Sequence, residues 1–309
     1  MGTMQTRIAT TCSTALLLGM LSAMPAAADP FFFSTGNPDG KIATASRPDT
    51  GAPFEIESAD DFTLTNSTSI TSATFTGLVT GTSPTIGKVV VEVYEVFPNL
   101  SNVNRTSGPP TFSTPNVPTR VNSPSDVELD GRDSAVAGEL TFSTKVLNNG
   151  QPFTANNSVQ PGGIPNVCPC PPATPATGGN GPVTGQEVEF DVSFTKPFDL
   201  PADHFFFVPQ VEVTGGDFLW LSAPKTIPAP ADLQSWTRDE SNGGIFPDWL
   251  RIGTDIVGGN PAPQFNAAFS LTGVTVPEPA SLTLLGAALA GMGLLGRRRG
   301  RRISSRRAP

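Results

Sequence analysis

Acidic residues fall at alternate positions in Asp126-Val127-Glu128-Leu129-Asp130-Gly131-Arg132-Asp133, with a glycine sixth, which is the opening pattern of a calcium-binding loop. Calcium takes about six to eight oxygen ligands, and such a loop supplies a two-oxygen acid at its twelfth position. That position is Ala137 here, and Val127 and Leu129 are apolar where a solvated loop carries polar groups. Asp126, Glu128, Asp130 and Asp133 are therefore candidate calcium ligands, and the same four residues read equally well as solvent-facing acids at a strand end. Asp60-Asp61 carries the same two readings, and no cofactor other than calcium is implied.

Trp236 and Trp249 lie close in sequence to Arg238, Asp239, Glu240, Asp248 and Arg251. Exposed indoles flanked by acids are candidate carbohydrate contacts, since a flat ring stacks on the face of a sugar. The alternative is that both rings fill the space between a sheet and its covering loops. Two of these acids held roughly 5–10 Å apart would make a glycosidase pair, and any acidic surface offers such pairs. The chain has no G-x-S-x-G, HExxH or P-loop motif, and its one histidine is His204 in Asp203-His204-Phe205-Phe206-Phe207, the start of a buried strand. Cys168-Pro169-Cys170 spans too short a ring for an unstrained disulfide. With one histidine available, a zinc site of Cys/His type is excluded. No catalytic residues are assigned.

The C-terminal segment holds different chemistry. Val276-Pro277-Glu278-Pro279 leads into the uncharged run Leu282 to Gly296, which stops at Arg297-Arg298-Arg299. Two prolines around a glutamate deny the segment helical hydrogen bonds and keep it extended, as a protease substrate is. Residues 280–296 as a helix span roughly 25 Å, at the lower limit for a hydrocarbon core of about 30 Å. The run is apolar all round, which fits lipid better than a protein core. Arg297, Arg298 and Arg299, with the four arginines after them, stay on the cytoplasmic side by the positive-inside rule. On hydropathy alone the segment reads equally as a permanent single-span anchor.

Pro277-Glu278-Pro279 before a short Gly/Ala/Leu helix and an arginine cluster resembles the PEP-CTERM sorting signal of Gram-negative bacteria. The resemblance implies processing near the motif by exosortase, a membrane-embedded cysteine transpeptidase, in a setting that commonly includes exopolysaccharide biosynthesis. It implies recognition at Pro277, Glu278 and Pro279, membrane presentation by residues 280–296 and a topological stop at Arg297 to Arg299. It covers residues 276–309 only.

The N-terminus agrees with export. Arg7, the apolar stretch Ala15 to Leu21 and the small residues Ala26-Ala27-Ala28 form a secretory signal peptide over residues 1–28, cleaved by signal peptidase after transit through the Sec machinery. The whole chain has 19 basic and 27 acidic residues, a net of −8. Eight of the basic residues lie in the two terminal segments, so the body between them carries about −15 to −16. A body that acidic is soluble and unsuited to nucleic acid, while exopolysaccharide is compatible with it.

The body from 29 to 275 reads as all-β, with expected strands at 54–57, 61–65, 70–79, 88–97, 139–147, 187–195, 204–213, 217–221 and 266–274. That number suits one antiparallel β-sandwich, jelly-roll-like, with Gly/Pro-rich stretches at 98–125 and 149–186 as long flexible loops. The stretch at 149–186 read as a linker between two small sheets is the alternative. Phe218-Leu219-Trp220-Leu221, Pro247-Asp248-Trp249-Leu250 and Glu57-Ser58-Ala59-Asp60-Asp61-Phe62 resemble exported bacterial β-sandwich proteins bearing the same tail, a likeness that implies a shared domain and no activity. The sequence points to an exported protein, briefly anchored in the inner membrane and then placed on the cell surface or outside it. The expected role of its body is structural or biofilm-associated, with a carbohydrate-binding module or a secreted hydrolase as alternatives.

Overall fold

In chain order the strands of the computed structural model are β1 (Pro30–Ser34), β2 (Ile42–Ala45), β3 (Ile56–Thr63), β4 (Thr68–Val79), β5 (Thr85–Glu95), β6 (Asp130–Asp133), β7 (Leu140–Val146), β8 (Pro152–Ala155), β9 (Asn157–Val159), β10 (Val183–Leu200), β11 (His204–Thr214), β12 (Phe218–Ala223), β13 (Trp236–Asp239), β14 (Leu250–Arg251), β15 (Asn266–Ala267) and β16 (Phe269–Thr275). The structure describes residues 28–51, 53–104, 120–165, 176–225, 232–241 and 248–276. All of them belong to one unit, Ala28–Val276. The signal peptide up to residue 27, the 280–296 span and the arginine stop lie outside the described residues. Among the described residues no helix is long and apolar enough to cross a membrane.

The strands form two sheets. The larger is built on β4, which pairs with β10 along one edge and with β16 and then β12 along the other. Beyond β10 lie β7 and β8; beyond β16 lies β1; beyond β12 lie β15, β2 and β9. The smaller sheet runs β14-β13-β3-β11-β5-β6 and is antiparallel throughout. A strand shows alternate residues to opposite faces, and the facing rows close the core. Phe75 on β4 stacks on Phe190 of β10 at 5.0 Å, and Phe207 on β11 stacks on Phe269 of β16 at 5.0 Å, joining the two sheets. Val89, Val91 and Val93 of β5 and Phe62 of β3 complete the contact from the smaller sheet. Gly77 is required where β12 meets β4, because a Cβ there would overlap the Phe218 ring.

The all-β expectation agrees with this architecture, and three details differ. First, β3 runs unbroken through Ser58-Ala59-Asp60, where the sequence pattern suggested two short strands. Its buried polar side chains find partners: Ser58 donates to the Ala45 carbonyl at 2.8 Å, and Asp60 accepts from Ser235 at 2.7 Å and the Ala267 N–H at 2.8 Å.

Second, the stretch at 149–186, expected to be one long flexible loop, contains β8, β9 and the start of β10. Asn157 organises it, donating to the Gly178 carbonyl at 3.0 Å and accepting from Gly181 N–H at 2.9 Å. Strands before and after this stretch pair within both sheets, so it does not link two separate ones. Third, the described end of the 98–125 stretch is no surface excursion, since Arg120, Ser123 and Ser125 are buried.

The smaller sheet is covered on both faces. Its outer side carries Ala59, Tyr94, Phe206 and Val208, packed against Leu233, Trp236 and Trp249. This explains the continuous apolar run of β11 from Phe205 to Val208, which a sheet with one wet face would interrupt with polar residues.

Fully burying a Phe side chain contributes about 1.5–3 kcal/mol, and truncating one in a packed core adds the cost of the cavity. Phe207→Ala is therefore expected to lower unfolding free energy by about 3–5 kcal/mol in urea titration. Phe32 on edge strand β1 is 69% exposed, and Phe32→Ala is expected to change stability by less than about 0.5 kcal/mol.

Candidate functional site

Three glutamates meet on the outer face of the smaller sheet. Glu57 on β3 and Glu55 just before that strand are two residues apart and share a face; Glu92 stands on β5. Between β3 and β5 runs β11, whose Gln210 pairs with Val90, one step along from the Val208–Glu92 pair. Among the described residues, Glu55, Glu57 and Glu92 form a group of potential metal-ligating side chains whose oxygens approach within 4.8 Å of one another.

Among the described residues, Arg238 brings a cation to the cluster. Arg238 on β13 lies opposite Glu57 on β3 and grips it with both arms of its guanidinium: Nη2 donates to Glu57 Oε1 at 2.8 Å, and Nε donates to Oε2. The same group donates to Tyr94 Oη at 3.0 Å and to the Asp126 carbonyl at 2.9 Å, and its plane sits 4.4 Å from the Trp249 ring. Tyr94 Oη donates its one proton to Glu57 Oε1 and also lies 3.1 Å from Glu92 Oε2. One phenol proton cannot serve both carboxylates, so Glu57 and Glu92 compete for it.

The electrostatics agree. Burial, then the charges of Glu57, Glu55 and Glu128, push the Glu92 carboxyl well above its usual range. Burial, then Glu57, raises Glu55 to about 7, against the pull of Gln210 and Arg238. Burial and the neighbouring Glu57 also raise the Tyr94 phenol. Burial opposes the Arg238 cation, yet Glu57 and Tyr94 hold its pKa above the usual value.

The cluster is roofed by Arg120, itself 1% exposed, which pairs with Asp248 at 2.7 Å and with Asp126. Trp249 closes the roof by donating Nε1–H to the Ser125 carbonyl at 2.9 Å.

The candidate calcium ligands are not gathered at one point. Asp126 belongs to this roof, Asp130 is held by Arg132 with an Nη2–Oδ2 distance of 2.8 Å, and Asp133 faces Lys88 at 3.3 Å. Glu128 lines a cleft of about 490 Å³ together with Glu92. Asp60 turns toward Ser235 and β15, while Asp61 turns the other way, to His204 Nε2 at 2.5 Å. Trp236 and Trp249, the candidate carbohydrate contacts, are each 1% exposed and present no ring face to solvent.

The residues of the cluster were not singled out by motif. Two signals in the sequence could have found them: Glu92 interrupts an apolar strand, and Tyr94 is the sole tyrosine of the chain. The partner that makes sense of both, Arg238, is more than 140 residues away from Tyr94.

At the opposite end of the fold-forming chain, β16 leads to the sorting segment. Thr275 N–H donates to the Asp29 carbonyl at 2.8 Å, Asp29 N–H donates to Thr275 Oγ1 at 3.0 Å, and Val276 N–H donates to the Ser67 carbonyl at 2.7 Å. The first residue after the expected signal-peptide cleavage is thus bonded to the last strand residue before Val276, which is itself 45% exposed. Pro277, Glu278, Pro279, Arg297, Arg298 and Arg299 lie outside the described residues, as do Cys168 and Cys170.

Removing one member of a buried ion pair strands the other and typically costs about 3–5 kcal/mol. Arg238→Met is expected to destabilise by that amount in chemical denaturation, and Lys145→Met, from an exposed pair with Glu189, by less than about 1 kcal/mol. A carboxyl with a raised folded pKa keeps its proton in the native state after the unfolded chain has lost it. Its stabilising contribution is therefore full below about 4.5 and lost as pH rises through about 7. In chelator-containing buffer, stability is expected to decline across that window, and Glu55→Gln to flatten the slope. An unchanged slope in that variant would contradict the assignment.

A family profile for the PEP-CTERM protein-sorting motif matches residues 275–302. No curated protein and no solved structure matches the chain. The chain therefore carries a PEP-CTERM sorting signal, which implies export, a membrane-anchored C-terminal signal and exosortase as the processing partner.

Proposed function

We propose that this chain is a non-catalytic structural protein of the cell surface or extracellular matrix, delivered by the Sec route and released from its tail by an exosortase-like transpeptidase. In this reading the signal peptide is removed after Ala28, the 280–296 helix holds the chain in the inner membrane with Arg297 to Arg299 on the cytoplasmic side, and cutting near Pro277-Glu278-Pro279 frees an acidic β-rich body. That body serves in a biofilm-type matrix in company with exopolysaccharide.

The observation that carries the reading is the bonding of Asp29 to Thr275. A chain tethered at both ends before processing must bring both ends of its folded body to the same bilayer. Here they leave from one place, the junction of β1 and β16. From Val276 to the start of the expected span is four residues, at most about 14 Å when extended. In this reading a short stretch of chain separates the last described strand residue from the expected span. A Pro-Glu-Pro sequence disfavours helix, which suits a substrate of a transpeptidase.

Intact-mass analysis of the extracellular protein tests the proposal. The expected product begins at Asp29 and lacks everything from Arg297 onward, and an extracellular product retaining Arg297 to Arg307 would overturn it. Replacing Pro277, Glu278 and Pro279 together by alanine is expected to leave the chain in the membrane fraction.

A further inference from the structure

We propose that Glu55, Glu92 and the side-chain carbonyl of Gln210, with Glu57 at the edge, form a binding site for a hard divalent cation, calcium by the nature of its donors. The first observation is the gathering of three carboxylates within 4.8 Å. The second is independent: Gln210 has no exposed surface, its Nε2 donates to Glu55 Oε1 at 2.7 Å, and its Oε1 has no hydrogen-bond partner. A buried acceptor without a donor is costly. A cation lying between the glutamates would satisfy it.

The cluster's own charges leave room for that cation. Carboxyls of Glu55, Glu57, Glu92, Glu128 and Glu240 act on one another here, and among the described residues Arg238 is a cation that acts against them. Its guanidinium is committed to Glu57, Tyr94 and the Asp126 carbonyl. Gln210 occupies one oxygen of Glu55 and Tyr94 one oxygen of Glu92, which leaves the second oxygen of each for a ligand. The donors are carboxylates and an amide carbonyl, without imidazole or thiolate, which favours a hard ion over zinc or copper. Calcium accepts irregular coordination by about six to eight oxygens, whereas magnesium demands a near-ideal octahedron. Glu92 also lines, with Glu128, a cleft of about 490 Å³, so one of the proposed ligands borders open space.

Calcium titration of the purified full-length chain, followed by calorimetry and by thermal unfolding, tests the site. Calcium is expected to bind with a dissociation constant of roughly 10⁻⁴–10⁻³ M, the range of extracellular modules, and to raise the melting temperature more than magnesium does. Glu92→Gln and Glu55→Gln are each expected to weaken binding by about tenfold or more, while Asp133→Asn leaves it unchanged. Terbium provides a readout that needs no variant, because Tyr94 and Trp249 stand beside the site, 5.4 Å apart, and would sensitise its emission. Absence of both a calcium response and sensitised terbium emission would overturn the proposal. So would binding that survives both glutamine variants or that Asp133→Asn abolishes, since the ion would then sit elsewhere.

Discussion

A sheet covered on both faces cannot leave a charge without a partner, and that constraint organises this protein. The larger sheet covers one face of β3, β11 and β5 with phenylalanines. The segments around residues 120–126 and 248–249, with Leu233 and with Trp236 from the neighbouring strand β13, cover the other. Once that second face is dry, Glu57 needs Arg238, and Arg238 in turn needs the Tyr94 hydroxyl and the Asp126 carbonyl. The roof above them depends on a second guanidinium, Arg120, held by Asp126 and Asp248. Two arginines thus fix loops that apolar packing alone would position loosely. Hydrogen bonds with fixed direction specify one arrangement where hydrophobic contact tolerates several.

The body's two ends obey a separate constraint. β1 is an edge strand held by β16, with Phe31 and Phe33 packed on the core beneath it. The sheet is therefore completed only after the last strand before the sorting motif has emerged and paired with β4 and β1. The acidic cluster of Glu55, Glu57 and Glu92 belongs to the other sheet.

How much was legible in the sequence depended on the range of the interaction. Period-two alternation in Val188, Phe190, Val192 and Phe194 locates a half-buried strand because neighbouring residues alone decide it. The same logic misread Ser58-Ala59-Asp60 as a break, since a polar residue in a strand is tolerable only when a distant partner satisfies it. Those partners are Ala45, Ser235 and Ala267. The Gly/Pro-rich stretch at 149–186 looked unstructured for a related reason: Asn157 and Ser158 supply the hydrogen bonds that its small residues lack.

The sorting signal lies at the other extreme. Its chemistry is local, a proline-restricted motif beside an apolar run and a block of arginines, so order along the chain was sufficient to recognise it. All-β character was likewise settled by local alternation and by turn residues. Only the tertiary structure decided that Trp236 and Trp249 are buried, that Asp126, Asp130 and Asp133 each face a different cation, and that Glu55, Glu57, Glu92 and Gln210 converge. Burial and electrostatic pairing arise between strands distant in sequence, and no spacing of residues along one strand encodes which charge will be dried and by what it will be met.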